Sequence, residues 1–420
     1  MKGQKRSWRW VAALGAVALL SIGVAACGGD DDDDAGGGEV KGFTDAGYKA
    51  AGFKTVTIDA NASVKIGISS ALSGDVKGLG EPIANAAEVA FEGVTIKGHK
   101  IEVVKEDDLC TPEGGPAAAD RLVKAGVVAA VGPICSGGTR ASLQIYDKAG
   151  ITHCSPSATA GDLTTPQRAE GPYVTFFRVP VLNADEARAQ ADFAKAKGWK
   201  TAFIVNDTDD YGKDLAAQFK KAFEAGGGKS VGEAGYEKKQ TDFKAIITNI
   251  KQAKPDVVYM AGFFAEATTF IQQMRAESEL KSTPFMGGDG IKNEEFLKAK
   301  DAAEGAYLAL PGTTSKAEFD AFAAKYAAKT KGKAEDATFG AEAYDCGTVI
   351  LKALEKTAVE KSGKLEIDLK KLNEAVKTTK DLKGASGSIT FAANGDRAGA
   401  VVRFFLVKGG KYEEVPATGK

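Results

Sequence analysis

From Val64 onward, short β-branched runs alternate with alanine-rich stretches of helical period. Val64–Ser70 reads as a strand, Glu81–Phe91 as a helix and Lys100–Asp107 as a strand. Thr111 is an expected N-cap for a helix starting at Pro112. The cycle continues with strand Val127–Val131, helix Gly138–Lys148 and strand Ile151–Ser155. After a gap come helix Asp185–Lys197, strand Thr201–Asn206, helix Tyr211–Ala225 and strand Ser230–Tyr236. Helix Asp242–Gln252, strand Val257–Ala261, helix Ala265–Glu277 and strand Pro284–Gly287 follow. Alternation of this kind predicts an α/β fold of mainly parallel sheets covered by helices.

Two breaks interrupt the rhythm, Val179-Pro180-Val181-Leu182-Asn183 and Leu310-Pro311-Gly312. Beyond the second lie three helical segments, Lys316–Lys329, Ala337–Lys356 and Leu369–Thr378, and then strands Gly387–Phe391 and Ala400–Val407. We therefore expect two lobes that exchange chain around a hinge and a cleft. Residues 64–180 and 311–390 build the first lobe, 181–310 the second, and 391–420 return to the second as strands and tail. The stretch Glu39–Ala62 has no clear period and is left unassigned.

Ligands of open parallel sheets meet the loops after the strands. In the first half those loops carry Leu72-Ser73-Gly74, Cys135-Ser136-Gly137-Gly138-Thr139 and Ser157-Ala158-Thr159. Hydroxyls beside helix N-termini suit a carboxylate. In the second half they carry Asp209-Asp210-Tyr211-Gly212, Phe263-Phe264-Ala265-Glu266 and Gly288-Asp289-Gly290. Aromatics with a carboxylate suit an ammonium. Together they offer one pole for each end of a small zwitterion. Each residue has a plainer reading too. Ser136 and Thr159 could be N-caps, Asp289 a turn residue bonding its own backbone, Tyr211 a packed aromatic, and Glu266 a first-turn acid meeting the helix dipole. Asp107 and Asp108 read as solvated or capping loop residues, His153 as a locally satisfied strand residue, and His99 as exposed in a turn.

The beginning of the chain adds an address. Lys2, Lys5, Arg6 and Arg9 precede the apolar run Val11–Leu20, the pattern of a signal peptide over residues 1–26. Val24-Ala25-Ala26-Cys27 resembles a lipobox, which would make Cys27 a lipidated N-terminus and the membrane a partner through that anchor only. Residues 27–63 would then be tether and extension. Gly28-Gly29 and the run Asp30–Asp34 keep the tether flexible and solvated. Consecutive aspartates lack the alternating spacing of a calcium loop.

Composition narrows the chemistry. Net charge is −1 and no basic stripe points to nucleic acid. With two histidines, His99 and His153, and neither HExxH nor paired CxxC, neither a metal site nor a histidine triad is expected. Gly78-Leu79-Gly80-Glu81 starts like a dinucleotide fingerprint but has no third glycine in register. Walker lysine and GxSxG elbow are absent. We expect no cofactor and no enzyme activity.

The chain resembles the branched-chain amino acid binding proteins of bacterial ABC importers, of the type I periplasmic-binding-protein fold, from Val64 to about Val407. The likeness rests on Ala71-Leu72-Ser73-Gly74, Asp107-Asp108-Leu109-Cys110, Gly132-Pro133-Ile134-Cys135-Ser136, Ser155-Pro156-Ser157-Ala158-Thr159-Ala160, Asp210-Tyr211-Gly212 and Phe285-Met286-Gly287-Gly288-Asp289-Gly290. It implies that Ser136 and Thr159 hydroxyls, helped by backbone at Ser157 and Thr159, hold a ligand carboxylate. It implies that Asp289 and the Ser157 carbonyl take the α-ammonium, and that Tyr211 closes from the second lobe. Leu79 and Phe263 stand where the family often has aromatic and tyrosine side chains, which implies a reshaped pocket. The implied role is hinge closure on an amino acid and delivery to ABC permease subunits, by a monomer. A ligand-sensing receptor of the same fold is the alternative.

Beyond Cys27, four cysteines remain: Cys110, Cys135, Cys154 and Cys346. An even count in an oxidising compartment suggests disulfides. The resemblance pairs Cys110 with Cys135. Cys154 and Cys346 are left either as a second bond or as two buried thiols.

Overall fold

A computed structural model describes residues 42–418. The expected signal peptide, Cys27 and the expected acidic tether lie outside the described residues. Two sheets organise the rest. The first has six strands in the order Thr95–Ile96, His99–Asp107, Val64–Ser70, Ala129–Val131, Thr152–Ser155 and Phe176–Arg178. All its pairings are parallel except the first. The second has seven, in the order Lys411–Val415, Val402–Lys408, Ala306–Pro311, Phe285–Gly287, Val257–Ala261, Thr201–Asp207 and Lys229–Tyr236. Its last five are parallel, and the C-terminal pair joins them antiparallel at Ala306–Pro311.

The central strands are buried on both faces, as Ala129–Val131 and Val257–Ala261 are throughout. That explains why they read as unbroken apolar runs instead of alternating ones. Helices Gly114–Ala125 and Ser136–Ala149 stop at Gly126 and Gly150, whose φ values of 79° and 68° give the left-handed cap a Cβ would strain.

The chain passes between the two lobes three times: after Arg178, after Pro311 and before Val402. Between the last two, helices Lys316–Thr330 and Gly340–Thr357 pack on helix Lys77–Val89 of the first lobe.

Several expectations need correction. Helix Lys77–Val89 starts four residues before the expected Glu81. Gly78, Gly80 and Pro82 hide it in the sequence, yet a Cβ on Gly80 would sit 2.1 Å from the Ala71 carbonyl. The helix expected from Pro112 begins at Gly114, and Thr111 serves it by accepting from Gly114 N–H at 2.9 Å. Strands Phe176–Arg178 and Ala306–Pro311 were not expected; the prolines that follow or end them read as breaks. The unassigned extension holds helix Asp45–Ala50 and strand Thr55–Ile58, which pairs antiparallel with Lys364–Asp368. Only one residue of that strand is buried, so it carries no period.

His99 is buried on its strand with Nδ1 2.9 Å from the Ala62 carbonyl, rather than exposed in a turn. Asp108 is buried, accepting from Ser69 Oγ and Cys110 N–H, while Asp107 caps Leu72 and Leu109. His153 is only half satisfied: its Nε2 has no partner, and burial between Tyr146 and Phe176 pushes its pKa down to about 3.

Candidate functional site

Loops from both sheets close around a cavity of ≈ 10 Å³, room for about one water. The first lobe lines it with Leu79, Ile134, Cys135, Ser136, Ser157 and Phe339, the second with Tyr211, Phe263, Asp289 and Gly290. Anything larger than water requires the lobes to part. Hydrogen bonds and ion pairs across the seam hold them together. Asn293 Nδ2 donates to the Gly78 carbonyl at 3.0 Å. That carbonyl is free because Pro82, four residues on, has no N–H to give it. Lys238 Nζ reaches the Cys110 carbonyl at 3.0 Å, and Arg140 pairs with Asp210 at 2.6 Å.

On the first-lobe side, helix Ser136–Ala149 points its N-terminus at the cavity. Its first N–H to find a partner along the helix is Thr139, on the Cys135 carbonyl at 2.9 Å. The preceding N–H groups and the helix dipole therefore favour an anion there. Ser136 is not the N-cap; Cys135 is. The Ser136 hydroxyl accepts from Ala160 N–H at 3.2 Å, which leaves its own proton to donate. Ser157 spends its proton on the Ile134 carbonyl at 2.7 Å. The Cys110–Cys135 disulfide, with Cα atoms 5.2 Å apart, anchors this loop. A second bond joins Cys154 to Cys346, so these are not free thiols.

The second-lobe side is acidic. Asp289 is buried, and its Oδ1 accepts from the Tyr211 hydroxyl at 2.5 Å. Tyr211 in turn accepts from Gly290 N–H at 3.0 Å, and its ring lies 5.2 Å from that of Phe263. Asp289 sits in the turn closed by Ile291 N–H on the Gly288 carbonyl, and beyond that turn it meets two other helices: its N–H donates to Glu186 Oε1 at 3.1 Å and its carboxyl accepts from Tyr211. Asp289 Oδ2 and Glu186 Oε2 are buried without a partner. Desolvation pushes both carboxyls above their ordinary range. A Cβ on Gly288 would come within 2.8 Å of the Tyr211 hydroxyl, which is why small residues precede the acid.

Six residues expected at the site line the cavity together: Leu79, Ser136, Ser157, Tyr211, Phe263 and Asp289. Thr159 does not line it; it is fully buried nearby with Oγ1 unpartnered. Glu266 is also outside, in the first turn of helix Phe264–Ala276, accepting from Lys239 N–H. Sequence reasoning missed Phe339 and Glu186. Phe339 was taken into a helix expected from Ala337, whereas the helix starts at Gly340 and Phe339 precedes it at φ 62°. Glu186 falls in the first turn of helix Asn183–Ala196 beside Asp185, a place that no motif singles out. A larger groove of ≈ 1060 Å³ meets the cavity at Phe339, lined by Lys292, Glu342, Arg403 and Tyr412 among others. It holds neither of the two poles.

Comparison with known proteins agrees with this geometry. Residues 63–411 match the periplasmic binding protein family. A leucine-, isoleucine-, valine-, threonine- and alanine-binding protein of Pseudomonas aeruginosa is 30% identical, over 82% of this chain and 90% of its own. A Streptococcus pneumoniae branched-chain amino acid transporter substrate binding protein, solved with isoleucine, is 25% identical with a TM-score of 0.74. That match covers 84% of this chain and 99% of the other. An R. palustris ABC-transporter solute binding protein solved with benzoate is also 25% identical, with a TM-score of 0.73, covering 84% and 96%. The described residues contain no helix long and apolar enough to cross a membrane. With its two parallel sheets, its interlobe cavity and this match over most of its length, the chain belongs to the periplasmic binding protein family.

Proposed function

We propose that this chain is an extracytoplasmic solute-binding lipoprotein that closes on an amino acid and delivers it to an ABC importer. The observation that carries the ligand class is the opposition of two poles across one small cavity. A helix N-terminus with the Ser136 hydroxyl faces buried Asp289. The first suits a carboxylate and the second an ammonium. Ser157 and Thr159 support the carboxylate pole, and Leu79, Phe263 and Phe339 wall the side chain. The names of the relatives favour branched-chain and small amino acids.

Benzoate, the ligand of one neighbour, carries the carboxylate but no cation. It would leave the buried Asp289 oxygen without a partner, a cost of about 1–3 kcal/mol or more. Isothermal titration should therefore detect amino acids and not benzoate. Asp289→Ala should weaken amino-acid binding tenfold or more, because hydrogen bonds to charged groups are worth about 1.5–3 kcal/mol. Thr159→Val belongs in the same titration. An Asp289→Ala protein with unchanged affinity would remove that residue from the site.

The address is part of the reading. Cys27 is the lipidated first residue of the mature chain in this proposal, which would keep the binding protein close to permease subunits. Cys27→Ser should release the protein from the membrane fraction. Continued membrane association of that variant contradicts the lipobox.

A further inference from the structure

Glu186 and Asp289 form a buried acid pair with no cation to balance it. Glu186 is 0% exposed and Asp289 2%. The Asp289 N–H binds Glu186 Oε1, and beside that bond Asp289 Oδ2 and Glu186 Oε2 are both left without a partner. Among the described residues, neither carboxyl has a Lys, Arg or His partner; each is raised by burial, and Glu186 is raised further by Asp289. Two carboxylates in contact in a dry site cannot both ionise, so one keeps a proton.

The hydrogen bonds decide which one. Asp289 receives the Tyr211 hydroxyl on Oδ1 and opens on the cavity. Glu186 receives one backbone N–H, lies behind Gly288 and does not line this cavity. The better-solvated anion is Asp289, and the proton belongs on Glu186. The titratable groups around the pair do not reverse this. Tyr211 from helix Asp210–Ala225 and Tyr259 from strand Val257–Ala261 are both raised by burial, and both remain neutral donors. Glu342, from helix Gly340–Thr357, is pushed up to about 7 and adds no positive charge.

We infer that Glu186 is a positioning residue of the ammonium pole: it acts as a neutral acid whose O–H donates to Asp289 and fixes it as the single anion that meets a ligand's ammonium. This rests on the amino-acid reading above and sharpens it. One net negative charge selects ligands with one cationic head group. It also assigns a role to an acid that contributes no atom to the cavity wall.

The test compares wild type, Glu186→Gln and Glu186→Leu as purified mature chains at neutral pH. Glutamine keeps a neutral donor; leucine removes it. Titration with the member of a common amino-acid panel that stabilises wild type most should give Glu186→Gln an affinity within threefold of wild type. Glu186→Leu should fall tenfold or more. If Glu186→Gln falls as far as Glu186→Leu, the function needs an ionised Glu186 and the inference fails. It fails also if Glu186→Leu binds like wild type. Difference infrared spectra of wild type minus Glu186→Gln, taken without ligand, provide an independent arm. They should contain a protonated-carboxyl C=O band, and an ionised-carboxylate band in its place overturns the assignment. Wild type that binds no amino acid would refute the ligand reading alone, and the infrared result would still decide the protonation of Glu186. Should Glu186→Leu not fold, the glutamine variant and the infrared arm suffice.

Discussion

Arg178→Met is expected to destabilise the protein by about 3–5 kcal/mol, the range for removing one partner of a buried charged pair. Arg178 is fully buried at the end of the last strand of the first sheet. Its Nε donates to Asp396 Oδ1 at 2.6 Å. Its Nη1 serves the Ala158 and Ala160 carbonyls at 3.1 and 2.5 Å, and its Nη2 the Thr164 hydroxyl at 2.9 Å. One guanidinium thus ties the loop carrying Ser157 and Thr159 to the last crossover of the chain, where Asp396 also accepts from Asn394 and Thr164. Methionine matches the length but leaves Asp396 Oδ1 without its cation and two carbonyls without their donor. Arg178→Lys should recover only part of the loss, since a single ammonium cannot span the fork. Urea unfolding should move the midpoint down at unchanged slope, and amino-acid affinity should fall with it because the loop is no longer pinned. A loss below about 1 kcal/mol would contradict this account, as surface-like behaviour lies in that range.

Arg178 also marks where the sequence stops being readable. In Phe176-Phe177-Arg178-Val179-Pro180 it looks like a stray charge before a break, and nothing local says that Asp396, 218 residues later, meets it. The parallel strands were legible because burial on both faces makes them continuous apolar runs, as in Val257–Ala261. Left-handed glycines such as Gly126 end the helices that separate them. The site loops were legible because parallel topology fixes where such loops gather. Six of the expected residues therefore fell on one cavity. What was not legible depends on packing between distant elements. The turn ahead of Glu81 was missed, and there Asn293, from the other lobe, supplies the bond that Pro82 withholds from the Gly78 carbonyl. Glu186 is acidic in a first turn, a surface-like pattern, until Asp289 is seen against it. Phe339 reaches the cavity because the chain takes a left-handed residue just before its helix, a conformation that no propensity announces for phenylalanine.

Removing the Cys154–Cys346 bond by Cys154→Ala with Cys346→Ala is expected to cost more than removing Cys110–Cys135 in the same way. The two bonds close loops of very different size, with separations of 192 and 25 residues. In the chain-entropy model these correspond to ~5 and ~3.5 kcal/mol, because the unfolded chain without the longer link regains more freedom. Packing adds in the same direction: Cys154 and Cys346 are both fully inaccessible, while Cys135 is partly presented at the cavity wall. Function should respond differently at the two places. Cys154 lies on strand Thr152–Ser155, directly before the Ser157 loop, and Cys346 lies on helix Gly340–Thr357, directly after Phe339. Their bond therefore links the polar floor of the cavity to its aromatic wall. The Cys110–Cys135 bond instead braces the turn that presents Ser136. Unfolding of the two double variants in urea, under identical oxidising conditions, measures the order directly. Titration of the same samples should find weakened amino-acid binding in both. A Cys110/Cys135 variant that is the less stable of the two would mean that strain or residual structure in the unfolded chain, rather than loop length, sets the contribution of these bonds.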